Sequence, residues 1–444
     1  MLPSDAKPIP QLTATPTQVA AGWPPDQPIV ALIGNGIHAR WSRWSIIAPA
    51  TGERLSLDGP DAMAKLRARM ESCEGTALLP NWIGYLGYEL GLAIEPAVAS
   101  LPEQQWPLVD LVWCDKALVH DAKSDTWWSV GGLEVPEFVS RKSGDVSCST
   151  LTDENGDASF TEAVKCAIEY IHAGDIFQAN MTRRFTANVD GDIRGAALSM
   201  LGKPGGWFGA WIEFPDDGRF LLSMSPELFL QVHAQTGEII TRPMKGTRPE
   251  QDAPEELLQS GKDAAELHMI VDLMRNDLGR VCSFGSIEVR QARTLEKHPT
   301  VWQCVGEVRG KLREDATMCD VLEATFPAGS ITGVPKIRAM QIIDELEESP
   351  RGPYCGAIGI LGNSSMLNVG IRTALFTGSQ DPSNFQGNLT YSTGCGIVAE
   401  SDPIAELEES EVKTHILKPL LNSPALRRSS EEHITRPGVV HAVE

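Results

Sequence analysis

The sequence lacks the features that mark disulfide-rich, zinc-binding and membrane-spanning chains. Its nine cysteines are an odd number and include no Cys-x-x-Cys pair, which argues against a disulfide framework and against a zinc site. No apolar run reaches the length of a membrane helix, so we expect no membrane association. The residues after Met1 lack the apolar stretch of a signal peptide. We therefore expect a soluble protein of the cytoplasm.

Basic residues are scarce relative to acidic ones. The chain has 38 Lys and Arg against 59 Asp and Glu, which gives a formal net charge of −21. Such a surface repels polyanions, so we expect no nucleic-acid partner. The same field opposes an anionic small substrate. A site for one would need a local cluster of Arg, Lys and a divalent cation.

A length of 444 residues predicts two domains or one large layered domain. We expect a sheet-forming N-terminal region over residues 1–150 and a main domain over residues 155–421. The polar stretch 135–158 reads as a linker, and residues 422–444 as a disordered tail. Strand-like and helix-like segments interleave irregularly, which favours an α+β fold over a doubly wound parallel sheet.

Local patterns predict three helices and several strands. Ser159-Phe-Thr-Glu162 has the form of a capping box and opens a helix that Gly174 ends. Apolar residues recur at helical spacing over 262–280, and Pro335 suits the first turn of a helix that runs to about Glu347. The strand-like runs cover residues 29–33, 44–47, 219–222, 238–241, 371–376 and 389–392.

A glycine-bearing turn near the N-terminus imitates a nucleotide site. Gly34-Asn-Gly-Ile-His-Ala39 follows a strand-like run and resembles a dinucleotide fingerprint. In such a site a helix follows the glycines, but residues 40–47 read as another strand. We interpret the segment as a tight turn.

The run Thr241-Arg-Pro-Met-Lys-Gly-Thr-Arg-Pro249 sets Lys245 beside a glycine. Gly246 lets the backbone approach a ligand closely, and Pro243 fixes the path of the chain. An amine held there can attack an electrophile if its surroundings keep it unprotonated. Taken alone, the run favours a solvated surface lysine in a turn over a nucleophile.

Two carboxylates on predicted helices are candidates for binding a cation. Glu266 lies at the start of an apolar helical stripe, and Glu409 lies in Glu406-x-x-Glu409-x-x-x-Lys413, whose spacing puts the three side chains on one helix face. Oxygen ligands of this kind suit Mg²⁺. A solvated acidic helix explains the second segment without a metal.

Other residues could bind or protonate a substrate. Glu227 follows a predicted strand, where burial would make it a general acid; a carboxylate bound to backbone is an equal alternative. Ser330 precedes the predicted helix at Pro335, which offers the positive end of a helix dipole. Gly394-Cys-Gly396 could present successive N–H groups as an anion nest. Arg372 lies on a strand-like run and needs a carboxylate partner if buried.

Six blocks occur in one order along the chain: residues 241–249, 266–280, 326–336, 354–359, 394–398 and 406–413. In this order they resemble the chorismate-utilising enzymes. The resemblance covers residues 159–421 strongly and 25–135 weakly, the latter through Ile83-Gly-Tyr-Leu-Gly-Tyr-Glu-Leu-Gly91. It implies a layered α/β sandwich of large, mostly antiparallel sheets flanked by helices.

The resemblance also implies a role for each candidate. Glu266 and Glu409 are implied to bind a Mg²⁺ ion, which in turn binds the ring carboxylate of chorismate. Glu406 would support these two ligands without contacting the ion. Lys245 is the nucleophile, and Glu227 protonates the departing ring hydroxyl. The residues implied to bind substrate are Gly246, Thr247, Ser330, Tyr354, Arg372, Gly394, Gly396 and Lys413. Of these, Tyr354 and Arg372 are implied to hold the enolpyruvyl carboxylate.

Three positions separate the branches of the family. Lys245 stands where the anthranilate-forming branch usually has alanine, and Gln178 where the water-adding branch usually has a lysine base. Asn180 is also closer to the branch that aminates ring carbon four on the route to para-aminobenzoate and folate. These three residues favour that branch. Gln303 stands where many members have a histidine, which supports pyruvate elimination in the anthranilate-forming branch; its absence fits an enzyme that stops before elimination, although aminating relatives often keep it. The anthranilate-forming branch is the alternative, and a non-catalytic binder of the same fold is another.

The resemblance implies a partner and makes one regulator doubtful. No region resembles a glutamine amidotransferase, so a separate amidotransferase subunit would supply ammonia from glutamine. Anthranilate-forming enzymes bind feedback tryptophan near an early Leu-Leu-Glu-Ser string. Here the corresponding stretch reads Ala31-Leu-Ile-Gly-Asn-Gly36, and we do not expect tryptophan feedback.

Overall fold

The computed structural model describes residues 2–36, 38, 40–71, 77, 79–138, 146–203, 207–249, 254–297 and 301–421, apart from the side chains at 247, 249, 256 and 262. These residues form two large antiparallel sheets flanked by helices. The α+β class and the layered sandwich predicted from the sequence are therefore confirmed. The predicted tail over residues 422–444 lies outside the described residues.

The strands are numbered in chain order. They are β1 (Lys7–Pro8), β2 (Ile29–Ile33), β3 (Trp44–Pro49), β4 (Arg54–Leu57), β5 (Asn81–Leu86), β6 (Val109–Cys114), β7 (Ala117–Asp121), β8 (Thr126–Val130), β9 (Val146–Cys148), β10 (Thr152–Asp153), β11 (Gln178–Gly191), β12 (Phe208–Phe214), β13 (Arg219–Ser225), β14 (Leu228–His233), β15 (Glu238–Arg242), β16 (Met244–Pro249), β17 (Glu288–Lys297), β18 (Val301–Lys311), β19 (Gly333–Val334), β20 (Ala357–Leu361), β21 (Ser365–Val369), β22 (Thr373–Gly378) and β23 (Phe385–Ile397).

The helices lie between these strands. They are α1 (Pro16–Ala21), α2 (Ala62–Met70), α3 (Leu90–Ile94), α4 (Asp157–Ala173), α5 (Ile193–Leu201), α6 (Pro254–Gln259), α7 (Gly261–Gly279), α8 (Met318–Thr325), α9 (Lys336–Leu346), α10 (Pro403–Val412) and α11 (Lys418–Leu421), with short 3₁₀ turns at Pro215–Asp217, Gly329–Ile331 and Lys413–Leu417. No helix among the described residues combines the length and the apolar character that crossing a membrane requires.

The two sheets differ in strand order but are built in the same way. The first has thirteen strands in the order β1-β8-β7-β3-β2-β12-β13-β22-β23-β11-β10, with β9 and β19 paired to β11. The second has ten strands in the order β16-β18-β15-β14-β21-β20-β5-β6-β4, with β17 paired to β18. Strands from the first 130 residues occur in both sheets. The division predicted near residue 150 stays a prediction.

Apolar side chains pack in three regions: between the two sheets, and between each sheet and the helices on its outer face. Successive strand residues point to opposite faces, so Ile212 packs between the two sheets while its neighbour Trp211 packs on the other face of the first sheet. Helices α1 and α5 cover that outer face. Helices α4, α7, α8 and α9 contribute to the largest core, which also contains residues of the second sheet. The hydrophobic effect thus fixes the order of layers: helices, sheet, sheet, helices.

The helix predictions are confirmed with one wrong boundary. Helix α7 and helix α9 lie within a residue or two of their predicted bounds, and α4 ends at Gly174, whose φ is 84°. The capping box at Ser159 is wrong. The helix begins earlier, at Asp157, and the Ser159 hydroxyl instead donates to Glu348 at 3.0 Å.

Two predictions about irregular segments have different outcomes. The stretch 135–158 is not entirely a linker, because β9 and β10 lie within it and both pair with β11. The interpretation of the Gly34 segment as a turn agrees with the structure. Gly36 has a φ of 69° and donates its N–H to the Ser42 carbonyl, and strand β3 follows rather than a helix.

Candidate active site

Lys245 lies on β16 beside an irregularity in the sheet. Its backbone is paired with Cys304 of β18, and the register shifts before Thr247. Gly246, between them, has a φ of 81°, in the left-handed region that favours glycine. Bulges of this kind re-aim neighbouring side chains. The side chain of Thr247, a predicted substrate ligand, lies outside the described residues.

Three side chains converge on Gly396 of β23. A Cβ atom at this glycine would lie 2.6 Å from Nε2 of Gln178, 2.7 Å from Nζ of Lys245 and 3.6 Å from Oε2 of Glu266. The first two distances are shorter than real Cβ contacts, so the missing side chain leaves the space that the amine and the amide use. The fold thus brings the candidate nucleophile next to a candidate metal ligand.

Glu227 lies between β13 and β14, with 4% of the residue exposed. Burial raises the pKa of its carboxyl to about 7, although Ser330, the charge of Lys245 and the backbone of Met244 limit the rise. The hydroxyl of Ser330 is buried beside it without the geometry of a full hydrogen bond. A carboxyl of this kind can hold a proton near neutral pH and donate it.

The predicted metal ligands lie near neighbouring glycines of β23. Glu266 of α7 lies close to Gly396, as described. Glu409 of α10 forms an ion pair with Lys413 at 2.8 Å, and the Lys413 amine donates to the Gly394 carbonyl at 2.6 Å. Lys413 was predicted to bind the substrate. In the structure its amine contacts this carboxylate, this carbonyl and, at 3.8 Å, the sulfur of Cys395.

A second carboxylate lies close to Glu409. One carboxylate oxygen of Glu406, one of Glu409 and the sulfur of Cys395 lie within 4.8 Å of one another. Glu406 is buried and accepts a hydrogen bond from the Ser401 hydroxyl at 2.7 Å. Carboxylate oxygens are the donors that Mg²⁺ prefers. The carboxylates of Glu409 and Glu406 therefore suit this ion, and Glu266, beside Gly396 of the same strand, offers a further donor of the same kind.

The predicted anion nest at Gly394 and Gly396 is wrong. Both glycines lie inside β23, in antiparallel register with Thr182 and Asn180 of β11, and neither has a positive φ. A nest requires alternating right- and left-handed residues, whereas these residues are extended. At Gly396 the absence of a side chain leaves room for neighbouring side chains, and the extended backbone there does not require glycine.

Ser330 does not lie at the start of α9. It belongs to the 3₁₀ turn Gly329–Ile331, and β19 separates this turn from the helix. The separation exists because Gly333 and Val334 pair with the first residues of β11 and extend the sheet. Ser330 therefore adjoins the site through Glu227 and not through a helix dipole.

Arg372 and Tyr354 both lie near Tyr391. Burial lowers the pKa of Arg372, and the neighbouring Tyr391 opposes this shift. Tyr391 also contributes, after burial and Cys355, to raising the pKa of Tyr354. Arg372 lies just before β22 with a φ of 51°, and no carboxylate among the described residues is paired with it, so its predicted carboxylate partner stays a prediction. A ligand carboxylate would relieve the cost of burying this charge.

Gln178 lies in the site, although from the sequence it only distinguished branches of the family and was not predicted as a site residue. Its side chain is 1% exposed, and its Oε1 atom has no hydrogen-bond partner among the described residues. The register of β11 against β23 brings it to Gly396, and no local pattern encodes that register. Gln303 is also buried, opposite Thr247 on the strand next to Lys245.

Comparisons with known proteins identify the family. The sequence matches the family of chorismate binding enzymes over residues 41–419. It is 42% identical to aminodeoxychorismate synthase component 1 of Klebsiella aerogenes over 383 residues, which is 81% of this chain and 82% of that protein. It is 35% identical to the Escherichia coli protein of the same name over 360 residues, 76% of each.

A solved structure gives the same answer for the fold. The crystal structure of anthranilate synthase component I from Streptococcus pneumoniae matches with a TM-score of 0.72 and 25% sequence identity, covering 84% of this chain and 91% of that chain. The sequence match, the structural match and the approach of Lys245 and Glu266 to Gly396 point the same way. The chain belongs to the chorismate binding enzymes.

Proposed function

We propose that the protein converts chorismate and ammonia to 4-amino-4-deoxychorismate, the activity of aminodeoxychorismate synthase component 1. The observation that carries this proposal is the convergence of Lys245 and Glu266 at Gly396. It places an amine next to a carboxylate suited to holding a metal. Relatives that carry the name of this enzyme match about four fifths of the chain, which supports the same activity.

The local charge of the site suits a dicarboxylate. Glu266 and Glu409 would hold Mg²⁺, which when bound supplies positive charge to the ring carboxylate of chorismate. Arg372, near Tyr354, would bind the enolpyruvyl carboxylate. Lys413 adds a third cationic group. Together these groups oppose the net charge of −21 where the substrate binds.

Lys245 opens the reaction in its uncharged form. A bond forms from Nζ to ring carbon two, the two ring double bonds shift, and the bond between carbon four and its hydroxyl breaks. Glu227 gives its proton to the departing hydroxyl, which leaves as water. Burial supports this role, because it keeps the Glu227 carboxyl protonated close to neutral pH.

Ammonia completes the reaction at carbon four. Its nitrogen forms a bond there, the double bonds shift back, and the bond between carbon two and Lys245 breaks. The lysine nitrogen carries a positive charge in the adduct, so lysine leaves as the free amine without gaining a proton. The added nitrogen loses one proton to the Glu227 carboxylate, which restores the acid used in the first step. The covalent route replaces one difficult substitution with two easier displacements.

We infer that ammonia comes from glutamine through a separate amidotransferase subunit. The relatives are named component 1, which supports a second component. We also infer a cytoplasmic location, which fits the eight described cysteines, all of them free. Co-purification with a matching amidotransferase subunit tests the partner, and failure to recover any complex would count against it.

The test of the activity is incubation of the purified chain with chorismate, Mg²⁺ and ammonium at alkaline pH. Chromatography separates 4-amino-4-deoxychorismate, fluorescent anthranilate and isochorismate. We expect the first product from the wild type and its loss in Lys245→Ala. Lys65→Ala, an exposed lysine paired with Asp61, is the control and should not change the product.

Each alternative has its own result in this assay. Anthranilate as the main product would favour the activity named for the Streptococcus pneumoniae structure. No turnover, with chorismate still bound, would favour a non-catalytic binder of the same fold. Unchanged product from a folded Lys245→Ala protein would remove the covalent step from the mechanism.

A further inference from the structure

The segment Ile83–Gly91 has no part in the mechanism above, although it lies against turns that adjoin the site. Its first residues belong to β5, which lies between β20 and β6 in the second sheet. The chain then turns at Gly87, and the Tyr88 N–H donates to the Gly352 carbonyl at 2.8 Å. The N-terminal part of the chain thereby contacts the loop that leads to Tyr354.

Glu89 fixes the backbone of that loop. Its Oε1 accepts the Arg351 N–H at 2.6 Å, and its Oε2 accepts the Gly352 N–H at 3.0 Å. The residue is 3% exposed, so water does not compete for these bonds. Both carboxylate oxygens are thus used to hold one turn, which continues directly into Tyr354.

The Arg351 side chain connects this turn to two further segments. Its guanidinium donates to the Ile331 carbonyl at 2.9 Å and to the Asn180 carbonyl at 2.6 Å. Two more bonds, at 2.8 and 2.7 Å, go to the carboxylate of Glu347. The guanidinium also lies 4.5 Å from the centre of the Tyr88 ring, within range of a cation–π contact.

The two carbonyl acceptors adjoin residues of the site. Ile331 follows Ser330, the hydroxyl beside Glu227. Asn180 lies two residues after Gln178 and is paired in register with Gly396. One buried guanidinium therefore spans the turn beside the general acid and the strand that borders the Lys245 amine.

We propose that Arg351, held by Glu89 and Tyr88, is a positioning residue for chorismate binding. Its guanidinium fixes the position of the Ser330 turn relative to the start of β11. The same residue anchors the turn before Tyr354. This inference rests on the proposed function, because it assumes that these three segments border bound chorismate.

A matched control separates positioning from general stabilisation. Arg194 is a second buried guanidinium: it forms a two-bond ion pair with Glu213 at 2.6 Å and donates to the carbonyls of Pro24 and Gln27 at 3.1 Å. It lies on α5, which packs with α1 and β12 on the outer face of the first sheet. Its loss should cost stability without touching the site.

The experiment measures KM for chorismate and kcat with saturating ammonium and Mg²⁺ in full-length variants, well below each thermal midpoint. We expect Arg351→Gln to raise KM at least about tenfold and Arg351→Lys to recover part of the loss. Arg194→Gln should lower the thermal midpoint and leave KM unchanged. Tyr88→Leu should raise KM, whereas Tyr88→Phe, which keeps the ring, should not.

Two results would overturn the positioning role. One is a folded Arg351→Gln protein whose KM stays within twofold of the wild type. The other is an equal rise in KM for Arg194→Gln, which would make the effect a general loss of stability. If Arg351→Gln does not fold, the Tyr88 pair decides, and equal KM values for Leu and Phe would overturn the proposal.

The same variants distinguish this inference from the proposed function. If the wild type shows no turnover, the proposed activity fails. Calorimetric titration with chorismate and Mg²⁺, without ammonium, then compares dissociation constants in place of KM. Weaker chorismate binding in Arg351→Gln but not in Arg194→Gln would uphold the positioning role, and equal binding in all three proteins would overturn it.

Discussion

The ε-amine of Lys245 and the side-chain amide of Gln178 point to one spot, the place where Gly396 lacks a side chain. They lie 2.7 and 2.6 Å from that spot. A neutral amide cannot take a proton from water as a lysine base can. The basic group closest to this position is therefore the Lys245 amine and not the Gln178 side chain. The pair therefore suits attack by an amine better than attack by water.

Filling that space should stop the chemistry without unfolding the chain. In Gly396→Ala the new methyl group would overlap both the Lys245 amine and the Gln178 amide. We expect kcat/KM for chorismate to fall at least about a hundredfold, because the amine must move away from its position of attack. Steady-state kinetics with ammonium measures the fall, and circular dichroism checks the fold.

A second glycine provides the steric control. A Cβ at Gly279, on the same helix as Glu266, would have Ile287 as its nearest neighbour at 3.8 Å, an ordinary contact. Gly279→Ala should therefore keep wild-type kinetics. Near-normal turnover in a folded Gly396→Ala protein would mean that Lys245 does not act from the position seen in the structure.

The acid role of Glu227 should appear in the pH dependence of kcat. Burial raises the pKa of this carboxyl to about 7, so the proton it must donate is lost as the pH rises through that value. Glu227→Gln cannot donate a proton and should lower kcat by about 10²- to 10⁴-fold. A pH series with both proteins tests this role. It is contradicted if the variant keeps the wild-type rate.

The same carboxyl should make stability depend on pH. The pKa in the fold lies above the ordinary value of 4.5, so the stability that the protonated form contributes is fully present below about pH 4.5 and is lost as the pH rises through about 7. Glu227→Gln stays neutral. At pH 8 we expect it to be more stable than the wild type by up to about 3 kcal/mol.

Urea unfolding of both proteins at pH 5 and pH 8 measures this difference. The wild type carries a second buried carboxyl, Glu89, whose pKa burial also raises to about 7, but this group is present in both proteins and cancels. The free-energy gap should widen in favour of Glu227→Gln at the higher pH. An equal gap at both pH values would show that Glu227 is not buried in its protonated form.

The sequence predicted the helices well because their signals are local. The apolar residues of α7, such as Leu267, Ile270 and Met274, recur at helical spacing, and all three are buried in the same core. The start of α4 was missed because a Ser-x-x-Glu pattern also occurs inside a helix. Gly156 occupies the N-cap there, and Ser159 lies within the first turns.

The grouping of the site could not be derived from local patterns. Gln178, Lys245 and Gly396 belong to three strands, and the resemblance alone put the last two in one site. Glycines at 394 and 396 suggested an anion nest, because glycine often marks a left-handed backbone. In the structure both glycines are extended. Which side chains occupy the space beside Gly396 depends on the tertiary fold and not on local sequence.

Lys413 and a metal ion should compete for Glu409. The Lys413 amine lies 2.8 Å from Oε1 of Glu409, so a cation bound to this carboxylate would be repelled by the charge of Lys413. Both side chains are about half exposed, which limits the effect. We expect Lys413→Met to strengthen Mg²⁺ binding about two- to fivefold and Glu409→Gln to weaken it. Calorimetric titration of Mg²⁺ without substrate measures both changes.

Both variants should raise KM for chorismate. Lys413→Met removes a positive charge beside the Gly394 carbonyl, so KM for the anionic substrate should rise even as the metal binds more tightly. Glu409→Gln should also raise KM, because it weakens the metal that would hold the ring carboxylate. If Lys413→Met weakened Mg²⁺ binding instead, Lys413 would support the metal ligands rather than compete with the ion, and the ion pair with Glu409 would be part of the assembled site.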